Sequence, residues 1–174
     1  MFKTILAPID GSDSAAKAAT LAAELAKTCD AELILLHVTL QGEAPAHLQR
    51  LAEIEHLVDT VAASPSGLAD APAGIAAALD EAARQQRSHL IFEKLGRQIL
   101  DMAERAARKA GVEKVGTRLL EGDPTHQIVK AAEDGAADAI VMGSRGLSDL
   151  KGLLVGSVSH KVNSVAPCTC ITVK

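Results

Sequence analysis

The sequence predicts an open parallel α/β sheet covered by helices on both faces. Three observations lead there. Strand-like runs alternate with helical ones across short links. Several of the strand-like runs are almost continuously apolar, the pattern of parallel strands buried on both sides. The interior is also bound to be aliphatic, because 32 of the 174 residues are alanine and the only aromatic residues are Phe2 and Phe92. This length suits one domain, and 48% hydrophobic content is enough to build its core.

The elements follow in order. Phe2 to Ile9 is the first strand, and Asp10-Gly11-Ser12-Asp13-Ser14 turns it into a helix. That helix, Ala15–Cys29, carries Ala18, Leu21, Ala22 and Leu25 at helical spacing. Glu32–Val38 is the second strand. A long crossover follows, at about 41–95, with helices expected near 46–62 and 74–87. Between them, residues 63–72 are rich in small residues and proline and read as a linker. The crossover is taken as an insertion: a lid, an interaction surface or, preferred, a tolerated surface elaboration. Ile99–Ala110 is a helix closed by Gly111, and Glu113–Glu121 is the third strand. Asp123-Pro124 sets a cap residue before a proline at the first helical position and opens Thr125–Glu133. Ala139–Met142 is the fourth strand. Cys168–Val173 is the fifth, set off by Pro167.

Charge and composition exclude several functions. Eighteen basic residues face 22 acidic ones for a net charge of −4, and no basic cluster marks a nucleic-acid or membrane-surface binder. Two aromatics cannot build a base-stacking platform. The apolar runs fall short of the roughly 18 residues a membrane span needs. The N-terminal run is short, lacks a cleavage site and leads into a turn and helix, so it is not read as a signal peptide. The cytoplasm is the expected location, with Cys29, Cys168 and Cys170 reduced. Cys168 and Cys170, two apart on a strand, point to one face rather than form a metal knuckle. The six histidines show no ligand spacing, so no metal site is expected.

The stretch with chemistry in it runs from Met142 to Ser159. Gly143 and Gly146 follow the fourth strand, and Gly156-Ser157 opens a helical run, Val158–Val165. Glycines at a strand's carboxyl end let backbone N–H groups approach an anion with no Cβ in the way. A helix N-terminus adds free N–H groups and a favourable dipole. Arg145 adds charge. The alternative is a loop shaped only by turn geometry; two glycine clusters, each beside a serine, favour phosphate. The stretch is neither a Walker A loop, since no Gly-Lys-Ser/Thr occurs, nor a dinucleotide fingerprint.

These residues resemble the universal stress protein family, in its ATP-binding subtype. The matching features are Ile5-Leu6-Ala7-Pro8-Ile9-Asp10-Gly11-Ser12, Gly122-Asp123-Pro124, Ala137 through Gly146, Gly156-Ser157-Val158-Ser159 and Val165-Ala166-Pro167-Cys168. The G-x2-G-x9-G-S/T signature is intact. The resemblance covers Met1–Leu40 and about Leu95–Lys174. It implies a five-stranded parallel sheet of order 3-2-1-4-5, like that of the adenine nucleotide alpha hydrolases, and a homodimer paired through the C-terminal strand. It also implies ATP, with or without Mg²⁺, as ligand. Pro8, Ile9 and Asp10 then lie at the sugar and base, Asp10 as acceptor for ribose hydroxyls or as cap of the first helix. Val38 reads the adenine edge through its backbone. Met142, Gly143, Ser144, Arg145, Gly146, Gly156, Ser157, Val158 and Ser159 hold ribose and phosphates.

No general base or nucleophile is evident, so the expected function is a regulatory nucleotide-binding module acting in stress response, with a protein partner still to be identified. The alternatives are an enzyme and a purely structural dimer. The enzyme would be a slow ATPase or a self-phosphorylating protein with Ser144, Ser157 or Ser159 as acceptor. Asp149 near a Mg²⁺ and His160 near the phosphates are set aside as surface residues.

Overall fold

The computed structural model describes residues 1–39, 42, 73–147 and 156–174. The expected helix near 46–62, the linker at 63–72, and His47, His56 and Asp149 lie outside the described residues. The chain divides into two compact units, Met1–Leu40 with Gly96–Lys174, and Gln41–Leu95.

The first unit holds the sheet. Its strands are β1 (Thr4–Pro8), β2 (Glu32–Thr39), β3 (Val115–Glu121), β4 (Ala139–Gly143) and β5 (Thr169–Val173), and its order is β3-β2-β1-β4-β5, every pair parallel. This is the order and orientation that the resemblance implied. Its edges lie within a few residues of the sequence expectation. At the amino end, β1 begins at Thr4 because the Asp138 carboxylate accepts the N–H groups of Lys3 (2.6 Å) and Thr4 (2.9 Å). Those two bonds hold the Asp138 carboxyl below its usual carboxylate value.

Two helices cover each face. Helix α1 (Asp13–Cys29) is capped by Ser12, whose hydroxyl accepts the Ala15 N–H, and it ends on Asp30 in the left-handed region at φ 52°. Its buried positions are Ala15, Ala18, Ala22, Ala23 and Ala26, alanine without exception, so its axis approaches the sheet closely. Ala18, Ala22, Ala23 and Ala26 pack with Ile5, Ala7, Leu33, Leu35 and Val141, joined by Leu100 and Ala107 of helix α2 (Ala73–Lys109). On the other face Leu6, Ile34, Leu36, Ile140 and Met142 meet Ile128 and Ala131 of α3 (Pro124–Asp134) and Val162 of α4 (Ser157–Val165). Cys168 and Cys170 both lie against that second cluster, as free thiols sharing one face.

Helix α2 corrects one expectation. The helices foreseen at 74–87 and 99–110 are a single 37-residue helix, Ala73–Lys109. The residues between, 88–98, contain no proline, and Gly96 costs a helix only about 1 kcal/mol relative to alanine. The expected insertion boundary at 95 therefore falls inside a helix. In the second unit the described residues are Gly42 and the first part of α2, whose exposed Arg84 pairs with Asp80 (2.5 Å) and Glu81 (2.9 Å) one turn back. Such exposed pairs contribute a few tenths of a kcal/mol.

Candidate functional site

The sheet order reverses direction between β1 and β4. Open α/β sheets bind ligands at the carboxyl end of such a switch point, and the glycine stretch lies here.

Asp10 leaves the end of β1 and organises the loop. Its Oδ1 accepts the Ser12 N–H (2.9 Å) and its Oδ2 accepts the Leu147 N–H (3.1 Å). Because Ser12 is the cap of α1, Asp10 is a clasp between two loops and not the helix cap. Gly146 has to be glycine for this: a Cβ there would stand 2.6 Å from Asp10 Oδ2. Gly143 meets a different neighbour. A Cβ at that position would lie 2.6 Å from Ser14 Oγ and 2.8 Å from the Ala15 nitrogen, so its bareness lets β4 touch the first turn of α1.

The second glycine cluster is tied to the first through one carbonyl. The Ser144 oxygen accepts the Gly156 N–H (2.7 Å) and the Ser159 hydroxyl (2.8 Å), while the Ser144 N–H donates to Val173 at the end of β5 (2.7 Å). The Arg145 carbonyl is held in turn by the Ser14 hydroxyl (2.5 Å). Gly156 is the N-cap of α4 and supplies no side-chain bond. Among the described residues, the N–H groups of Gly146, Ser157 and Val158 have no hydrogen-bond partner. Ser157 and Val158 present theirs at the N-terminus of α4, the kind of end that favours an anion, and Gly146 presents its own from the loop after β4. A hollow of about 530 Å³ opens beside the loop, lined by Gly11, Ser12, Ser14, Lys17, Arg145 and Gly146 among others. A second hollow, of about 440 Å³, lies at the opposite end of the strands against Phe2, Cys29 and Lys114, and contains no residue of the glycine stretch.

The expected site residues divide into groups. Asp10, Gly143, Ser144, Arg145, Gly146, Gly156 and Ser159 are brought together by the bonds and contacts above. Ser157 and Val158 form the first turn of α4. Pro8, Ile9 and Met142 are buried, so only their backbone can border a ligand. Val38 does not line the hollow; it stands on β2, past the last β1 rung at Pro8 and Leu36. Ser144 and Ser159 are buried and Ser157 is exposed, which leaves Ser157 as the accessible hydroxyl of the three considered as phosphate acceptors. His126 and His160 are exposed. Among the described residues no group of three or more His, Cys, Asp or Glu could hold a metal. Sequence reasoning missed Ser14 and Lys17, which nothing but the fold brings to the loop.

His37 gives folding stability a pH dependence. Its Nδ1 lies 2.8 Å from the Ile9 carbonyl. Burial lowers its pKa, opposed by that bond and by the nearby Asp10 charge. A histidine whose folded pKa is depressed binds its proton more readily when unfolded. Stability is therefore complete above about 6.5, the ordinary histidine value, and is lost as pH falls through it toward the folded value. Urea denaturation between pH 7.5 and 5 should show this decline, and His37→Phe should flatten the part that His37 carries.

With this geometry in view, comparison places the chain among known proteins. The family model described as "Universal stress protein family" matches residues 1–55 and 52–174. The chain belongs to the universal stress protein family. Among its relatives in the family, universal stress protein YxiE of Bacillus subtilis is 35% identical over 178 residues, covering all of both chains. The universal stress protein in the QAH/OAS sulfhydrylase 3′ region of Thermus aquaticus is 33% identical over 178 residues, again with complete coverage of both. The solved structure of hypothetical protein MJ0577 is similar with a TM-score of 0.62 and 26% identity, covering 100% of this chain and 96% of the other. MJ0577, of Methanocaldococcus jannaschii, is itself a universal stress protein. A universal stress protein in complex with cAMP matches with a TM-score of 0.61 at 23% identity, covering 99% of this chain and 97% of that one. That likeness speaks for the fold.

Proposed function

We propose that this universal stress protein binds an adenine nucleotide, ATP by preference, at the carboxyl ends of β1 and β4 and works as a regulatory module. The observation that carries this is the pairing of the two glycine clusters through the Ser144 carbonyl, which ties the N-terminus of α4 to the loop whose Ser144, Arg145 and Gly146 line the hollow; among the described residues the Gly146, Ser157 and Val158 N–H groups have no hydrogen-bond partner. Three backbone donors and a helix N-terminus suit a phosphate chain, each charge–dipole contact contributing roughly 0.3–1 kcal/mol. Arg145 and Lys17 line the same hollow and match its charge. The Asp10 carboxylate keeps acceptor capacity beyond its two N–H partners, since an ionised carboxylate offers about four lone-pair sites; ribose hydroxyls fit there. Mg²⁺, where present, would arrive on the phosphates.

The same acid argues for holding rather than turning over, because Asp10 is engaged with Ser12 and Leu147. Residues 41–95 are proposed as an insertion within a single domain, and β5, which pairs with β4 on one side, as the edge at which a second copy adds. Signalling through a protein partner in the cytoplasm belongs to the same proposal.

Isothermal titration with ATP, alongside mass spectrometry of freshly purified, denatured protein, tests the reading. Retained adenine nucleotide, or a micromolar ATP isotherm with one site per chain, is expected. Absence of both at millimolar ATP would sink it.

A further inference from the structure

We infer that His37 is a positioning residue that keeps the Val38 peptide group open for the base of a bound nucleotide; the inference rests on the nucleotide site proposed above. The argument is one of strand register. In the β1–β2 ladder the last rung is the Ile9 N–H donating to the Leu36 carbonyl (2.8 Å). Peptide groups along a strand alternate in direction. Leu36 turns its peptide groups to β1, so Val38 does the same, while Thr39 faces β3, where its carbonyl accepts the Gly122 N–H (3.2 Å). Were the ladder to continue, the next rung would run from the Val38 N–H to the Ile9 carbonyl. That carbonyl instead takes the His37 side chain at 2.8 Å.

A carbonyl only accepts, so the ring carries its proton on Nδ1. The imidazole ends the ladder at the point where β1 turns away toward Asp10. The Val38 N–H and C=O are left facing the gap between the departing β1 and β2, and among the described residues neither has a hydrogen-bond partner. One donor and one acceptor side by side is what the hydrogen-bonding edge of a purine needs.

The ring cannot easily move elsewhere. A Cβ on Gly96 would lie 2.7 Å from His37 Cδ2 and 2.7 Å from Leu119 Cδ1, so α2 closes over the imidazole at a residue without a side chain. This also gives a glycine in the middle of a long helix a reason to be there, against its propensity.

The test uses the full chain and three variants, His37→Phe, His37→Asn and Gly96→Ala, titrated with ATP and with inorganic triphosphate. Phenylalanine fills the volume without a donor, whereas asparagine keeps an N–H near the Nδ1 position. His37→Phe should lose about tenfold in ATP affinity, on the order of one hydrogen bond, and bind triphosphate as the parent does. His37→Asn should recover most of the loss, and Gly96→Ala should repeat it by displacing the ring. Equal ATP affinity in parent and His37→Phe would overturn the inference, as would a parallel fall for ATP and triphosphate. If the parent binds neither ligand, the nucleotide reading fails, and amide exchange of the unliganded protein decides the role of His37. The Val38 N–H should then exchange faster than that of Leu36 in the parent and slow in His37→Phe; unchanged exchange would overturn the inference.

Discussion

Gly143→Val is expected to destabilise the chain by about 3 kcal/mol, the upper end of what overpacking a core usually costs. The first atom of the new side chain would stand 2.6 Å from Ser14 Oγ, 2.8 Å from the Ala15 nitrogen and 2.9 Å from the Ser14 carbonyl carbon. Two of those atoms are backbone, and neither element has room to retreat. Helix α1 is pressed onto the sheet through Ala18 and Ala22, both fully buried, and every residue of β4 is buried. For a domain whose net stability is roughly 5–15 kcal/mol, this is a large fraction. The midpoint of thermal unfolding should fall by about 10 °C, given roughly 2–4 °C per kcal/mol at this size. A change under about 1 kcal/mol in urea denaturation would mean that α1 and β4 do not meet as described.

Gly146→Val, three residues on, should do the opposite: leave the fold largely intact and remove nucleotide binding. The obstacle to its Cβ is Asp10 Oδ2 at 2.6 Å, the far end of a side chain that can swing aside. Swinging aside gives up the Ser12 and Leu147 N–H bonds that clasp the loop. It also removes the carboxylate offered to the ribose and puts two methyl groups among the phosphate donors. ATP affinity should fall by about 100-fold, close to 2.7 kcal/mol, while the melting midpoint moves by a few degrees. Gly156→Val should be milder in packing, because the nearest atoms to its Cβ are the Ser144 oxygen at 3.2 Å and Arg145 Cα at 3.3 Å. Nucleotide affinity equal to the parent's in Gly146→Val would separate the glycine loop from binding.

Much of this was legible in the residues. The uninterrupted apolar runs around Leu6, Leu35 and Ile140 gave the parallel strands, and alanine at every buried position of α1 accounts for the composition. Strand order came from resemblance, because nothing local to β3 or β5 states its neighbours. Residues 88–98 lay between the two expected helices, with Gly96 among them; the space Gly96 leaves for His37 and Leu119 is a tertiary fact. In the site, the sequence identified the glycines but not what each one accommodates. Gly143 serves α1, Gly146 serves Asp10, and both neighbours are more than a hundred residues away in the chain. The role of His37 was not legible for the same reason: its partner, the Ile9 carbonyl, is set by where β1 stops pairing.

The most direct test of the nucleotide site is an ATP titration of ¹⁵N-labelled protein followed by amide chemical shifts. The largest changes should fall on Val38, Gly146, Leu147, Ser157 and Val158, with the amides of Lys3, Asp30 and Lys114 at the opposite end of the sheet unmoved. No shift at millimolar ATP, or changes gathered at that opposite end, would contradict it.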